Sequence, residues 1–427
     1  MEAVAGFPRY DQYKDSGVEW IGEIPAHWAV KRNKQLFREK KETVGKNAAD
    51  YTLLSLTLKG VIARDMENPQ GKFPAEFDSY KVVSNRDLIF CLFDIEETPR
   101  TVGMAHQGGM ITGAYTVLEC APDVSERYLS YLYLSLDNGK HLKPLYTGLR
   151  KVIQRDTFMA VKTPIPPKKE QDRIANFLDQ KTAEIDAAIA KKQRLIELLK
   201  EQKAILINQA VTQGIDPNVP MRDSGVEWIG QVPENWEVKR AKYLFREIDE
   251  RSASGEEELL SVSHMTGVTP RSEKNIYMFM AEDYSGSKVC RADDLVFNIM
   301  WAWMGALGVS DRRGIVSPSY GVYRQRESGR FNPWFLEHLL RSGQYVAEYN
   351  RRSTGLHSSR LRLYSYMFFD MEIGCPSREE QDRIEEAVRE KLISIDRAEA
   401  TIVREIEHLN EFRSIVISEA VTGKIKL

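Results

Sequence analysis

Two stretches of the chain collect positive charge with no acid among it. Lys140, Lys143, Arg150, Lys151 and Arg155 lie in the first. Arg351, Arg352, Arg360 and Arg362 lie in the second, with His357 between them. Guanidinium and ammonium groups gathered in this way suit the neutralisation of phosphate oxygens. Each stretch surrounds the same tripeptide, Thr147-Gly148-Leu149 and Thr354-Gly355-Leu356. Thr147, Gln154, Ser353, Thr354, Ser358 and Ser359 add hydroxyls and an amide that bond phosphate oxygens or base edges. Lys59, Arg64 and Arg100 extend the candidate set in the first half, and Arg271, Lys274, Arg312 and Arg313 in the second. For a single run of this kind a solvated charged face is the better explanation. Recurrence at matched positions favours a shared anion-binding surface. That surface must be local, because residues 43–165 carry 14 basic and 14 acidic side chains and the whole chain has a net charge of −2.

No catalytic pattern of comparable specificity is present. There is no phosphate-binding G-x-x-x-x-G-K-[ST], no G-x-S-x-G nucleophile turn and no H-E-x-x-H. His106, His264 and His357 have no matched histidine in the other half of the chain. Asn332-Pro333-Trp334-Phe335 resembles the Asn-Pro-Pro-Phe loop of amino-methyltransferases, but its third residue differs and no glycine-rich cofactor loop accompanies it. An asparagine followed by proline is better read as the start of a helix. No residue set is therefore singled out for catalysis, for a metal site or for a cofactor. Cys91, Cys120, Cys290 and Cys375 lie far apart and read as reduced structural residues. No run of 18 apolar residues occurs and no signal-like apolar run follows Met1, so the expectation is a soluble, cytoplasmic protein.

The elements that must hold these residues occur twice. Asp15-Ser16-Gly17-Val18-Glu19-Trp20-Ile21-Gly22 is repeated as Asp223-Ser224-Gly225-Val226-Glu227-Trp228-Ile229-Gly230. The match runs on through Pro25, Trp28 and Phe37 to Pro233, Trp236 and Phe245, which is an internal duplication. The repeated tryptophans and proline are expected to dock this segment on an apolar surface. Residues 43–165 and 251–374 then diverge, both rich in short β-like runs. The runs are Tyr51–Leu58, Asp87–Phe93 and Ala114–Leu118, answered by Leu259–Val262, Asp294–Ile299 and Ser319–Tyr323. Each region offers one helix, Glu126–Leu136 capped by Ser125 and Trp334–Leu340 opened by Asn332-Pro333.

Glu170-Gln171-Asp172-Arg173-Ile174 returns as Glu380-Gln381-Asp382-Arg383-Ile384, and a long helical run follows each. Ile174, Leu178, Ile185, Ile189, Ile196, Leu199 and Leu206 form a narrow apolar seam. Ile384, Val388, Leu392, Ile395, Ile402, Leu409 and Val416 form another, the coiled-coil pattern. Lys192 and Lys203 interrupt the first seam and predict an imperfect pair that a partner could cover. Gly214 and Gly423 end the two helices. The fold expected is α+β, with two globular domains related by a pseudo-twofold and separated by two long antiparallel coiled-coil helices. The expected divisions are 1–165, the first frame segment and globular domain; 166–216, the first long helix; 217–374, the second segment and domain; and 375–427, the second long helix.

Over nearly its full length the chain resembles a DNA-specificity (S) subunit of a type I restriction-modification system. The resemblance is carried by Pro166 to Ile174 and Pro376 to Ile384, by Ile185-Asp186 and Ile395-Asp396, and by Ala420-Val421-Thr422-Gly423-Lys424-Ile425. The first copy departs from the last motif, with Gln213 and Gly214 in place of Gly-Lys. The resemblance implies two target recognition domains that read a bipartite, asymmetric site in double-stranded DNA. It also implies long helices that set the spacing and bind two methyltransferase (M) subunits, with restriction (R) motor-nuclease subunits joining. S-adenosylmethionine, ATP and Mg are then expected on the partner subunits. Two rivals remain, a self-contained enzyme acting on DNA and a coiled-coil scaffold whose globular arms bind protein.

Overall fold

The computed structural model describes residues 6–65, 76–95, 97–274, 283–355 and 361–427. The chain forms two compact units. One is built from residues 1–193 with 403–427, and the other from residues 194–402. Both units therefore draw on both long helices, Lys168–Gln213 and Arg378–Val421.

The first unit contains a four-stranded antiparallel sheet in the order Phe37–Lys40, Thr116–Cys120, Leu88–Phe90, Val102–Met104. The second has the same sheet, in the order Phe245–Glu247, Gly321–Gln325, Leu295–Phe297, Leu307–Val309. The central strands are buried on both faces, as Leu88-Ile89-Phe90 and Leu295-Val296-Phe297 show. One face packs on a helix, Glu126–Asn138 in the first unit and Pro333–Leu340 in the second. The other face covers a small hairpin, Leu54–Thr57 with Gly60–Ala63, or Leu260–Ser263 with Gly267–Pro270. The strands expected from sequence are present, three of them shortened to Leu54–Thr57, Leu88–Phe90 and Leu295–Phe297, and three shifted by one or two residues to Thr116–Cys120, Leu260–Ser263 and Gly321–Gln325.

Two details differ from expectation. Ser125 occupies the position before the Glu126–Asn138 helix, but its hydroxyl makes no cap bond. Its backbone N–H instead donates to Gln171 Oε1 at 2.7 Å. Asn332 does cap its helix, accepting from Phe335 N at 3.0 Å. The second region also has a further helix, Gly343–Arg352, whose last turn carries Arg351 and Arg352. Its buried face is Tyr345, Glu348 and Tyr349, so its i, i+4 pattern is partly aromatic and partly ionic.

The long helices have 46 and 44 residues and run antiparallel to one another within each unit. In the first unit Asp186 meets Arg413 at 3.4 Å and Lys192 meets Glu405 at 2.7 Å. In the second, Lys203 meets Glu399 at 2.9 Å and also reaches Asp396. Ile174, Leu178, Ile384 and Val388 are buried, whereas Ile189, Ile196, Leu199, Leu392 and Ile395 are half-buried. The seam lysines are not gaps awaiting cover. Each is half-buried and salt-bridged to the opposite helix, the use that coiled coils make of flanking charges. Gly214 and Gly423 end the helices at φ +79 and +72, a region that glycine enters without strain. No helix among the described residues is long and apolar enough to cross a membrane.

Candidate nucleic-acid interface

The repeated Glu-Gln pair builds the frame on which the recognition regions sit. Glu170 accepts from Trp28 Nε1 at 3.0 Å, pairs with His27 at 2.8 Å, and accepts from the Tyr10 hydroxyl. Burial pushes the Glu170 carboxyl up, but the Tyr10, His27 and Trp28 bonds outweigh it and hold the group below the usual carboxylate range. Gln171 accepts from Ser125 N and donates to the Pro166 carbonyl at 2.9 Å. The second unit repeats the arrangement. Glu380 accepts from Trp236 Nε1 at 2.9 Å, and Gln381 accepts from Asn332 N at 2.8 Å and donates to the Pro376 carbonyl at 3.0 Å. Trp28 and Trp236 are fully enclosed, so the repeated tryptophans are packing residues.

In both units a backbone closure begins at the threonine of the shared Thr-Gly-Leu. Thr147 and Val152 close the first by two reciprocal backbone bonds of 2.9 and 3.0 Å. Thr354 and Arg362 close the second in the same way, at 3.1 and 2.9 Å. Next to each closure lies a matching backbone bond, Ile153 N to Leu92 O at 2.9 Å and Leu363 N to Ile299 O at 3.0 Å. The two basic stretches thus occupy equivalent loops on one frame. Gly148 has φ +71, and Leu149 and Arg150 stand fully exposed at the tip. His357 and Arg360 lie outside the described residues.

The positive charges are less free in space than in sequence. Lys140 bonds Asp137 at 2.7 Å, and Arg100 lies 3.6 Å from the same carboxylate and bonds Asn138 at 3.0 Å. Burial pulls the Arg100 guanidinium down, and Asp137 opposes this. Arg155 is held by Glu39 at 2.5 Å. Arg351 and Arg352 share Glu348, each at 2.5 Å, and Arg352 also lies 3.5 Å from Asp370. Burial would raise Glu348, but the two guanidiniums outweigh it and hold the carboxyl below its ordinary range. Arg312 pairs with Asp311 at 2.8 Å and lies 3.5 Å from Glu258, and Arg313 lies 3.7 Å from Glu257. Arg362 donates to the Leu361 carbonyl at 2.9 Å. Arg64, Lys143 and Lys151 each have an interaction partner.

Burial lowers the half-buried Lys274, which has Arg271 beside it. Lys59, Arg150 and Arg271 make no ion pair with any described residue, and Lys59 and Arg150 are exposed. Lys59, Arg100 and His106 line a cleft of about 450 Å³ together with Arg127, Tyr131 and Arg413. His264 lies apart from these groups, in the loop between the strands Leu260–Ser263 and Gly267–Pro270.

Sequence reasoning missed a second feature of the same loops. Trp301, Tyr364 and Tyr366 are exposed in the second unit, and Trp303 is half-buried beside them. The frame bonds align these positions with Asp94, Gln154 and Asp156 in the first unit. The signal was there in Trp-Ala-Trp and Tyr-Ser-Tyr, aromatic pairs two residues apart.

Comparison with known proteins agrees with this construction. Residues 113–198 match the model of the type I restriction modification DNA specificity domain. The stretch runs from a central sheet strand into the first long helix. The type I restriction enzyme MjaVIII specificity subunit of Methanocaldococcus jannaschii is 25% identical over 300 residues, 66% of each chain. The putative MjaX specificity subunit of the same organism is 24% identical over 241 residues, 51% of this chain and 52% of that one. The matched stretches thus span about two thirds and about half of the lengths of these relatives. A solved chain from work on complex assembly and conformational transition of the type I restriction-modification system superposes with a TM-score of 0.62. It does so over 93% of this chain and 98% of its own, at 13% identity, and so shares the fold.

The duplicated α+β frame on long helices has the matched domain inside it and shares its fold with that solved chain. The matched domain, the curated relatives and the shared fold together support a specificity (S) subunit of a type I system.

Proposed function

We propose that this chain is the non-catalytic DNA-reading subunit of a type I complex, and that each unit reads one half of a bipartite, asymmetric site in double-stranded DNA. One observation carries the proposal. The same frame, fixed by the same Glu-Gln clamps and the same loop closures, presents two chemically different faces. A shared frame suits a constant partner, and divergent faces suit two different half-sites. The long helices run through both units and are proposed to set the number of unread base pairs. They are also proposed to carry two methyltransferase (M) subunits, with restriction (R) motor-nuclease subunits joining the assembly. S-adenosylmethionine, ATP and Mg belong to those partners in this reading.

The loop cations Lys59, Arg150, Arg271, Arg313, Arg351 and Arg362 are proposed to meet phosphate or base edges, together with His357 and Arg360. Arg to guanine, and Gln to adenine from a residue such as Gln154, are the natural edge contacts.

A gel-shift at two salt concentrations, with and without the methyltransferase subunit, tests the reading. The proposal requires DNA binding that weakens steeply with salt and sharpens for one sequence when the partner is present. Binding to protein only, or methylation by the pure chain, contradicts it.

A further inference from the structure

We propose that the second unit reads its half-site through an aromatic ridge, Trp301, Trp303, Tyr364 and Tyr366, which packs on thymine methyl groups in the major groove. The inference rests on the DNA-reading function proposed above.

Two ring pairs make the ridge. Trp301 and Trp303 lie with centroids 6.1 Å apart and planes 17° from parallel. Tyr364 and Tyr366 lie 6.1 Å apart at 7°. The Leu363–Ile299 backbone bond ties the two segments together. Trp301 is 50% exposed and Tyr366 68%, although the backbone beneath them is hydrogen-bonded. Trp301 N donates to the Asn298 carbonyl at 2.9 Å, Asn298 Nδ2 donates to the Tyr320 hydroxyl at 2.9 Å, and Trp303 Nε1 donates to the Met300 carbonyl at 3.1 Å. The helix Gly343–Arg352 backs the turn 302–304. Large rings held in fixed places at the surface are arranged for contact.

The surroundings point to nucleic acid. Arg362 immediately precedes Leu363 in the same loop closure. Arg271 follows the strand Gly267–Pro270, whose Val268 packs in the same cluster as Tyr320, the residue that holds Asn298. Flat apolar rings bordered by cations match bases bordered by phosphates. A docking surface for a partner common to both units would recur in both. Here the matched positions of the first unit are Asp94, Gln154 and Asp156, so the ridge belongs to one unit and to its own preference. In the major groove the apolar group offered by a base pair is the thymine 5-methyl. The first unit, with Gln154 and carboxylates, is suited instead to hydrogen-bonded edges.

The test uses the full chain assembled with its methyltransferase subunit and a duplex library randomised across the target. Wild type should select a half-site containing thymine. Replacing that thymine by deoxyuridine should weaken binding about fourfold per methyl, the value of burying one such group. Trp301→Ala with Tyr366→Ala should erase the uridine penalty and relax that half-site only, and Trp301→Phe with Tyr366→Phe should retain most of it. An unchanged half-site in the alanine variant overturns the ridge. So does loss of methyltransferase assembly with base preference intact, which would make the ridge a protein contact. A wild-type complex that selects no sequence in either half would instead overturn the DNA-reading function itself.

Discussion

Removing Arg351 and Arg352 together should destabilise the second unit as well as affect DNA binding. Glu348 has a side chain only 2% exposed, and its carboxylate accepts from Arg351 at 2.5 and 2.6 Å and from Arg352 at 2.5 Å. Arg351 is 67% exposed, so Arg351→Ala alone should cost little, as for solvated ion pairs generally. Arg352→Ala should cost more, because its side chain is only 18% exposed.

The double substitution leaves a buried carboxylate with neither partner, and breaking such a pair costs about 3–5 kcal/mol. For a unit of this size that corresponds to a fall of roughly 6–20 °C in its unfolding temperature. The pH dependence should reverse. In wild type the Glu348 carboxyl sits below its unfolded value, so its contribution is present above a pH of about 4.3 and fades as pH falls through the folded value. In the double variant the unpaired carboxyl is raised by burial, so the deficit is greatest at neutral pH and shrinks on acidification. Urea denaturation followed by tryptophan fluorescence at pH 7 and pH 4.5 measures both effects, and Glu348→Gln in the same background should recover much of the loss. A double variant within about 0.5 kcal/mol of wild type at pH 7, a scatter typical of neutral surface changes, would refute the account of this cluster.

Arg150→Ala should weaken DNA binding and lower the slope of log K against log salt by about 0.9, with no change in thermal stability, since Arg150 is exposed and makes no ion pair with a described residue. An unchanged slope in a salt titration would remove Arg150 from the interface. Glu170→Gln should destabilise the first unit by about 1–3 kcal/mol, because the enclosed Trp28 N–H and the Tyr10 and His27 groups lose a charged acceptor. Glu170 is held below its unfolded value, so the wild-type advantage over this variant should vanish as pH falls below about 4.3, and calorimetry across that range checks the sign. Removing seven residues from each long helix at facing positions should shorten the unread spacer by about three base pairs, from 1.5 Å per residue against 3.4 Å per base step. Changed half-site bases in the methylated motif would contradict the spacer role.

The duplication, the long helices and the ends of both helices at Gly214 and Gly423 were legible because each has a strong local signal. The two Glu-Gln pairs were visible as repeats, but their role was not, since Trp28 lies 142 residues from Glu170. The basic stretches were located correctly as equivalent loops, yet their freedom was overstated. Some of the counter-charges were near at hand. Asp137 and Glu348 stand three residues before Lys140 and Arg351, at helical spacing, just outside the acid-free windows. Glu39, which holds Arg155, comes from 116 residues away and no local pattern reveals it. The seam lysines read as defects until the antiparallel register supplied Glu405 and Glu399. The aromatic ridge was hidden by its own alternation, which reads as a half-buried strand.

The central claim is that two different faces on one repeated frame read two different short sequences. Methylome sequencing of a host that expresses this chain with its methyltransferase subunit tests it most directly. The account predicts a single methylated motif made of two unlike half-sites separated by a fixed run of unread bases. A continuous motif, a palindromic motif or methylation without sequence preference would contradict it.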